Sequence, residues 1–204
     1  MNKRYSSKYD RKIYEIFAGE YFTTDERKVI LQTLLGSCIA VCFKDKYNHI
    51  VGINHFMLPG NPRAEKVIYD KNSRYGINSM ELVINSMMKK GARRENLEAK
   101  VFGGGKVMKW GLNNVAENNI EFVLAYLKME RIPISARDVG GDYGRKVIMF
   151  SDSFAVYRKK IKSSKVVNST LEKEKKLLSK VKKKNQKKSD ITLFEQEVNN
   201  GQTN

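Results

Sequence analysis

The sequence predicts a layered α/β (α+β) sandwich, with mixed β-sheets, two main helices and a flexible basic C-terminal tail. Short runs of β-branched and bulky apolar residues alternate with turn signals, and two longer segments show helical periodicity. A lysine-rich end without glycine, proline or aromatic residues follows them. At 204 residues the chain is long enough for one sizeable core. Its 41% hydrophobic content, with ten Tyr, nine Phe and eight Met to fill an interior, excludes a wholly disordered chain.

Residues 1–12 are polar and tyrosine-rich and are expected to form a loosely attached arm. Strands are expected at 13–18, 29–34, 39–43 and 50–56, with 44–48 as a hairpin loop between the last two. Pro59, Gly60, Asn61 and Pro62 end the fourth strand, and a polar loop runs to about residue 73. Asn78 with Glu81 three positions on has the form of a capping box. Met80, Val83, Ile84, Met87 and Met88 then recur at helical spacing until Lys89, Lys90 and Gly91 close the helix. Asn118 with Glu121 repeats the device ahead of an Ile120, Val123, Leu124 and Leu127 stripe that ends near Arg131. Strands are expected again at 97–102, 132–136, 146–150 and 154–158. These elements make one main domain, 13–158, followed by a tail, 159–204.

Charge is unevenly placed. The 39 Lys and Arg outweigh 22 Asp and Glu for a net +17, and residues 159–204 hold 13 Lys against 5 acids, a net +8. Such a run reads as a solvated, disordered segment. It lacks aromatic residues for base stacking and uses Lys without Arg, which argues against specific nucleic-acid binding. An electrostatic contact with an anionic membrane surface suits it better. Acidic and apolar residues return at 189–195, which reads as a docking peptide. The most apolar stretch, 29–43, is about 15 residues long where a membrane span needs roughly 20, so no insertion is expected. Residues 1–14 contain no apolar signal region, and a cytoplasmic protein is expected.

The two cysteines, Cys38 and Cys42, stand four positions apart, roughly 13 Å along a strand and beyond disulfide reach. With His49 and His55 they fit zinc-ligand spacings poorly, so no metal is expected and no organic cofactor is needed. Cys38 is the informative one, because it follows the Gly36-Ser37 turn directly after an apolar strand. A thiol placed there is reachable, and backbone N–H groups beside it can hold an oxyanion. Thiolate formation needs a nearby imidazole or a helix N-terminus. His55, 17 residues on and across one hairpin, is the candidate base. The alternative reading is ordinary: a buried apolar thiol and a satisfied core histidine. Gly103-Gly104-Gly105-Lys106 and Gly140-Gly141 lack P-loop and dinucleotide spacing, and mark tight turns or the rim of a substrate entrance.

Five ordered blocks change the weight of these readings: residues 34–41 around Cys38, 54–59 around His55, Arg74-Tyr75-Gly76, residues 99–104, and 138–145. In that order they resemble the chemoreceptor glutamine deamidase family, CheD, over roughly residues 13–158. The resemblance implies a layered α/β fold and hydrolysis of particular glutamine side chains on methyl-accepting chemotaxis receptors to glutamate. It puts the nucleophile on Cys38 and the general base on His55. A third catalytic position falls on Thr33, with Gln32 the competing assignment by ungapped counting; the two face opposite sides of a strand. The implied partners are the receptors and a CheC-type chemotaxis phosphatase. A non-catalytic module of the same fold that only binds receptor or phosphatase is the alternative reading.

Overall fold

The computed structural model describes residues 1–58, 73–107 and 115–161, and beyond these only Glu172, Lys176 and Ser179. Ten strands and two helices make three layers. One sheet joins β1 (Asn2–Ser6), β2 (Arg11–Glu15), β4 (Val29–Leu35), β9 (Gly144–Phe150) and β10 (Val156–Ile161) in that order. The second joins β3 (Tyr21–Thr24), β6 (Val51–Phe56), β5 (Ile39–Asp45), β7 (Leu97–Gly103) and β8 (Ile134–Val139). Both sheets are mixed: β2 runs parallel to β4 and β7 parallel to β8, while the other pairs are antiparallel. Helices α1 (Ser73–Met88) and α2 (Val115–Met129) cover the outer face of the second sheet.

Strand β5 shows why the layers form. Its period-two alternation sends Ile39, Val41 and Phe43 to the helices, and Ala40 and Cys42 to the first sheet. Covered on both faces, it reads as a nearly continuous apolar run. Between the sheets lie Leu31, Leu35, Ile53, Met57, Val147 and Met149; under the helices lie Met80, Val83, Phe122 and Val123. Burying each of these large side chains contributes about 1.5–3 kcal/mol. Helix approach depends on glycine: a Cβ on Gly76 would lie 2.5 Å from Phe122, and one on Gly52 2.9 Å from Met87.

Several expectations are corrected in detail. Residues 1–12 contribute β1 and the start of β2, an antiparallel hairpin on the edge of the first sheet, where Tyr14 stacks on Phe22 at 4.3 Å. Helix α1 begins at Ser73, five residues ahead of the capping box read at Asn78, because buried Ser73 and Gly76 extend the Met80-Val83-Met87 stripe by another turn. Helix α2 likewise begins at Val115, and Asn118 and Asn119 are buried in its interior. Strand β3 went unread, and β10 runs to Ile161, past the boundary at 158. The loop read at 59–72 and the docking peptide at 189–195 lie outside the described residues.

Candidate active site

Strand β4 turns Val29, Leu31 and Leu35 into the inter-sheet core, so Thr33 faces inward with them and is 1% exposed. Gln32 points the other way, into a groove on the outer face of the first sheet, with Ile30 and Ile148. On the second sheet, β6 directs Val51, Ile53 and Met57 inward, and His55 shares that face. The two inward side chains meet: Thr33 Oγ1 lies 2.8 Å from His55 Nδ1 and 2.6 Å from the carbonyl oxygen of Ile16. A hydroxyl has one proton, and a carbonyl can only accept, so Thr33 donates to Ile16 and accepts from Nδ1–H. Nε2 is then the basic nitrogen of the neutral ring. His55 is further held by its backbone, which accepts from Gly19 N–H at 2.7 Å and donates to the Glu20 carbonyl at 2.9 Å.

Cys38 ends the turn between β4 and β5 and is buried among the inter-sheet residues. Ala40 pairs directly with His55, and Cys38 stands two residues before Ala40, which puts thiol and imidazole on one face at adjacent register positions. The turn is fastened by the glycine loop after β7. Gly104 N–H donates to the Cys38 carbonyl at 2.8 Å, and Gly105 N–H to the Gly36 carbonyl at 2.9 Å. Gly103 has φ of +120°, and a Cβ there would lie 2.1 Å from the Cys38 carbonyl oxygen. Only a residue without a side chain lets the two backbones approach this closely.

A second tier holds the loop. Gly140 N–H donates to the Gly103 carbonyl at 2.9 Å and Lys106 N–H to the Gly141 carbonyl at 2.7 Å. Arg145, wholly buried, donates to Asp138 Oδ1 through Nε and Nη2 and to the Gly140 carbonyl, and its guanidinium lies 4.4 Å from the Tyr143 ring centre. Burial alone would push the Asp138 carboxyl up, but the hydrogen bonds and charges of Arg145 and Arg158 outweigh it and hold the pKa below the usual carboxylate value. Asn119, on α2, accepts from Leu58 N–H at 2.8 Å and donates to the Ser37 carbonyl at 3.0 Å.

The remaining candidates stand apart. Burial pushes the Cys42 thiol up to about 12, with the Lys100 charge a smaller opposing influence, so it stays protonated and unreactive at neutral pH. His49 is exposed on the β5–β6 loop. Among the described residues no group of three or more His, Cys, Asp or Glu is arranged to hold a metal ion, and no helix is long and apolar enough to cross a membrane. The phenol of Tyr75 on α1 is raised by burial first and by the Cys38 charge second, which places it in the thiol's electrostatic neighbourhood. Sequence reasoning missed Asn119, Arg145 and the fastening role of Gly103 to Gly105. The available signal for Asn119 was a polar residue falling on the same helical stripe as Phe122, Val123 and Tyr126.

A thiol beside a glycine turn, facing an imidazole whose tautomer is set by a buried hydroxyl, has the chemical means of a nucleophilic hydrolase. A family model described as CheD chemotactic sensory transduction matches residues 57–160, a span that begins two residues after His55. The protein named "Probable chemoreceptor glutamine deamidase CheD 1" of Shewanella oneidensis is 46% identical over 172 residues, covering 83% of this chain and 82% of its own. Namesakes in Methylobacillus flagellatus and Laribacter hongkongensis are 41% and 44% identical, covering 88% and 72% of this chain and the same shares of their own. The chain belongs to the CheD family. A solved Bacillus licheniformis hypothetical protein, YfiH, overlaps 60% of this chain and 49% of its own at 14% identity, with a TM-score of only 0.35, which supports no further comparison.

Proposed function

We propose that this chain is a protein-glutamine deamidase that hydrolyses glutamine side chains of methyl-accepting chemotaxis receptors to glutamate and releases ammonia. The observation that carries the reading is the Thr33–His55 contact, which presets the histidine as a base on the face that Cys38 shares. Cys38 Sγ, deprotonated by His55, attacks the carboxamide carbon, and backbone N–H groups beside the thiol stabilise the oxyanion. His55 returns the proton to the leaving nitrogen, the C–N bond breaks, ammonia departs and a thioester remains. His55 then takes a proton from water, the resulting hydroxide attacks the thioester, and glutamate leaves as Cys38 is restored. One water is consumed and one ammonia released; no cofactor takes part. Thr33 positions His55 and does not touch substrate.

The relatives' names and the family support chemoreceptors as substrate, acted on in the cytoplasm, and a CheC-type phosphatase as a second partner in this reading. The catalytic unit extends through Ile161, and the lysine-rich remainder adds a salt-sensitive attraction to anionic surfaces. A chain stopped after Ile161 is expected to keep its rate on soluble receptor peptides; a large loss there would put the tail inside catalysis. The deciding experiment incubates receptor cytoplasmic fragments with wild type and Cys38→Ala and follows glutamine-to-glutamate conversion by mass spectrometry. Conversion with the wild type and none with the variant is expected. An effect on receptors that survives Cys38→Ala would make the chain a binding module.

A further inference from the structure

We propose that Asn119 is a positioning residue for this reaction, its buried carboxamide tying the peptide before the thiol to the chain just past the imidazole. The inference rests on the reading of Cys38 and His55 as nucleophile and base. Asn119 is fully buried in the middle of α2, on the stripe that otherwise carries Phe122, Val123 and Tyr126. A buried carboxamide is costly unless its donor and acceptor are both satisfied. Asn119 satisfies both away from its own helix: Nδ2 donates to the Ser37 carbonyl at 3.0 Å and Oδ1 accepts from Leu58 N–H at 2.8 Å.

Those two backbone groups flank the site. Ser37 immediately precedes Cys38, and Leu58 follows His55 by three residues at the end of β6. Because the peptide group is planar, a bond to the Ser37 carbonyl sets the roll of the whole Ser37–Cys38 peptide and so the direction in which Cys38 presents its side chain. The same side chain fixes that peptide relative to the strand bearing the imidazole. The neighbouring residue Ile120 adds a second restraint: a Cβ on Gly104, whose N–H holds the Cys38 carbonyl, would lie 2.5 Å from the Ile120 side chain. Helix α2 thus clamps the nucleophile turn from two adjacent positions, at distances where misplacement of about 1 Å costs roughly a hundredfold in rate.

The test uses full-length Asn119→Asp, Asn119→Ala and Leu127→Ala, each in a Cys42→Ala background that leaves a single thiol. Aspartate is nearly isosteric and keeps the acceptor for Leu58 but offers no N–H to Ser37. Leu127 is buried on the same helix away from both hydrogen bonds and reports loss of stability alone. Circular dichroism melts fix a temperature at which each variant is folded. Deamidation of a receptor fragment is then measured across substrate concentration, and iodoacetamide labelling of Cys38 across pH. The expected result is kcat lowered at least tenfold in both Asn119 variants, KM within twofold, and a displaced labelling profile, with Leu127→Ala unchanged in all three. Folded Asn119 variants with kcat within twofold and an unmoved labelling profile would overturn the assignment, as would equal losses in Leu127→Ala or failure of both Asn119 variants to fold. Turnover that survives Cys38→Ala would instead overturn the underlying reading of the nucleophile, and is detected separately.

Discussion

Replacing Thr33 by Val exchanges a hydroxyl for a methyl group of similar size, so the inter-sheet core keeps its volume while two hydrogen bonds vanish. The Ile16 carbonyl loses its donor at 2.6 Å and the His55 ring its acceptor at 2.8 Å, at a residue 1% exposed. Each buried polar group left without a partner costs about 1–3 kcal/mol, which sums to about 2–6 kcal/mol of lost stability. For a chain of this size each kcal/mol lowers Tm by about 2–4 °C. The kinetic effect is larger, because without an acceptor at Nδ1 the ring no longer favours the tautomer with a basic Nε2. Loss of properly poised acid–base catalysis lowers kcat by about 10²–10⁴, with KM nearly constant since Thr33 touches no substrate. Thr33→Ser keeps the hydroxyl and is expected to restore most of the rate. The assay is ammonia release from receptor peptides over a range of substrate concentrations, paired with urea melts. A folded Thr33→Val protein that keeps more than half the wild-type kcat would refute the reasoning that makes the hydroxyl set the base.

Cys42→Ala is expected to retain turnover and Cys38→Ala to have none, since the Cys42 thiol is pushed up to about 12 by burial; mass spectrometry of receptor peptides checks this, and the opposite pattern would move the nucleophile. His55→Ala is expected to slow alkylation of Cys38 at neutral pH while His49→Ala, on the exposed loop, does not; equal rates across the pH range would dismiss the thiolate–imidazolium pair. Asp138 is held below its ordinary pKa when folded, so its contribution to stability is full above the unfolded value of about 3.9 and lost as pH falls through the lower folded value. Asp138→Asn has nothing to titrate there, and its urea stability is expected to fall less steeply below pH ~4 than the wild type's; identical slopes would show that the carboxylate is not coupled to its arginines.

Local chemistry determined much of this protein from the sequence alone. Alternating apolar runs announced most of the strands, since a strand buried between layers cannot carry polar residues on either face, as in 39–43. Helical stripes at Met80, Val83, Ile84 and Met87 and at Val123 and Leu127 announced the two helices, and a glycine turn singled out Cys38 from Cys42. Boundaries were less legible. Asn78 and Asn118 look like caps in isolation, yet each lies inside a helix whose start is set by packing against neighbouring elements, as where Gly76 meets Phe122.

Tertiary structure alone decided the site's fine assignment. Whether Thr33 or Gln32 faces His55 depends on a one-residue register, and β4 acquires its register from pairing with β2 on one side and β9 on the other, both distant in sequence. The value of Asn119 is likewise invisible locally, because its two partners lie 82 and 61 residues away. The need for glycine at 103 arises from the Cys38 carbonyl crossing at 2.1 Å from where a Cβ would stand. Sequence determines what each segment is able to bury; which polar side chain then meets which is decided only when the three layers close, since that is when the cost of an unsatisfied buried group falls due.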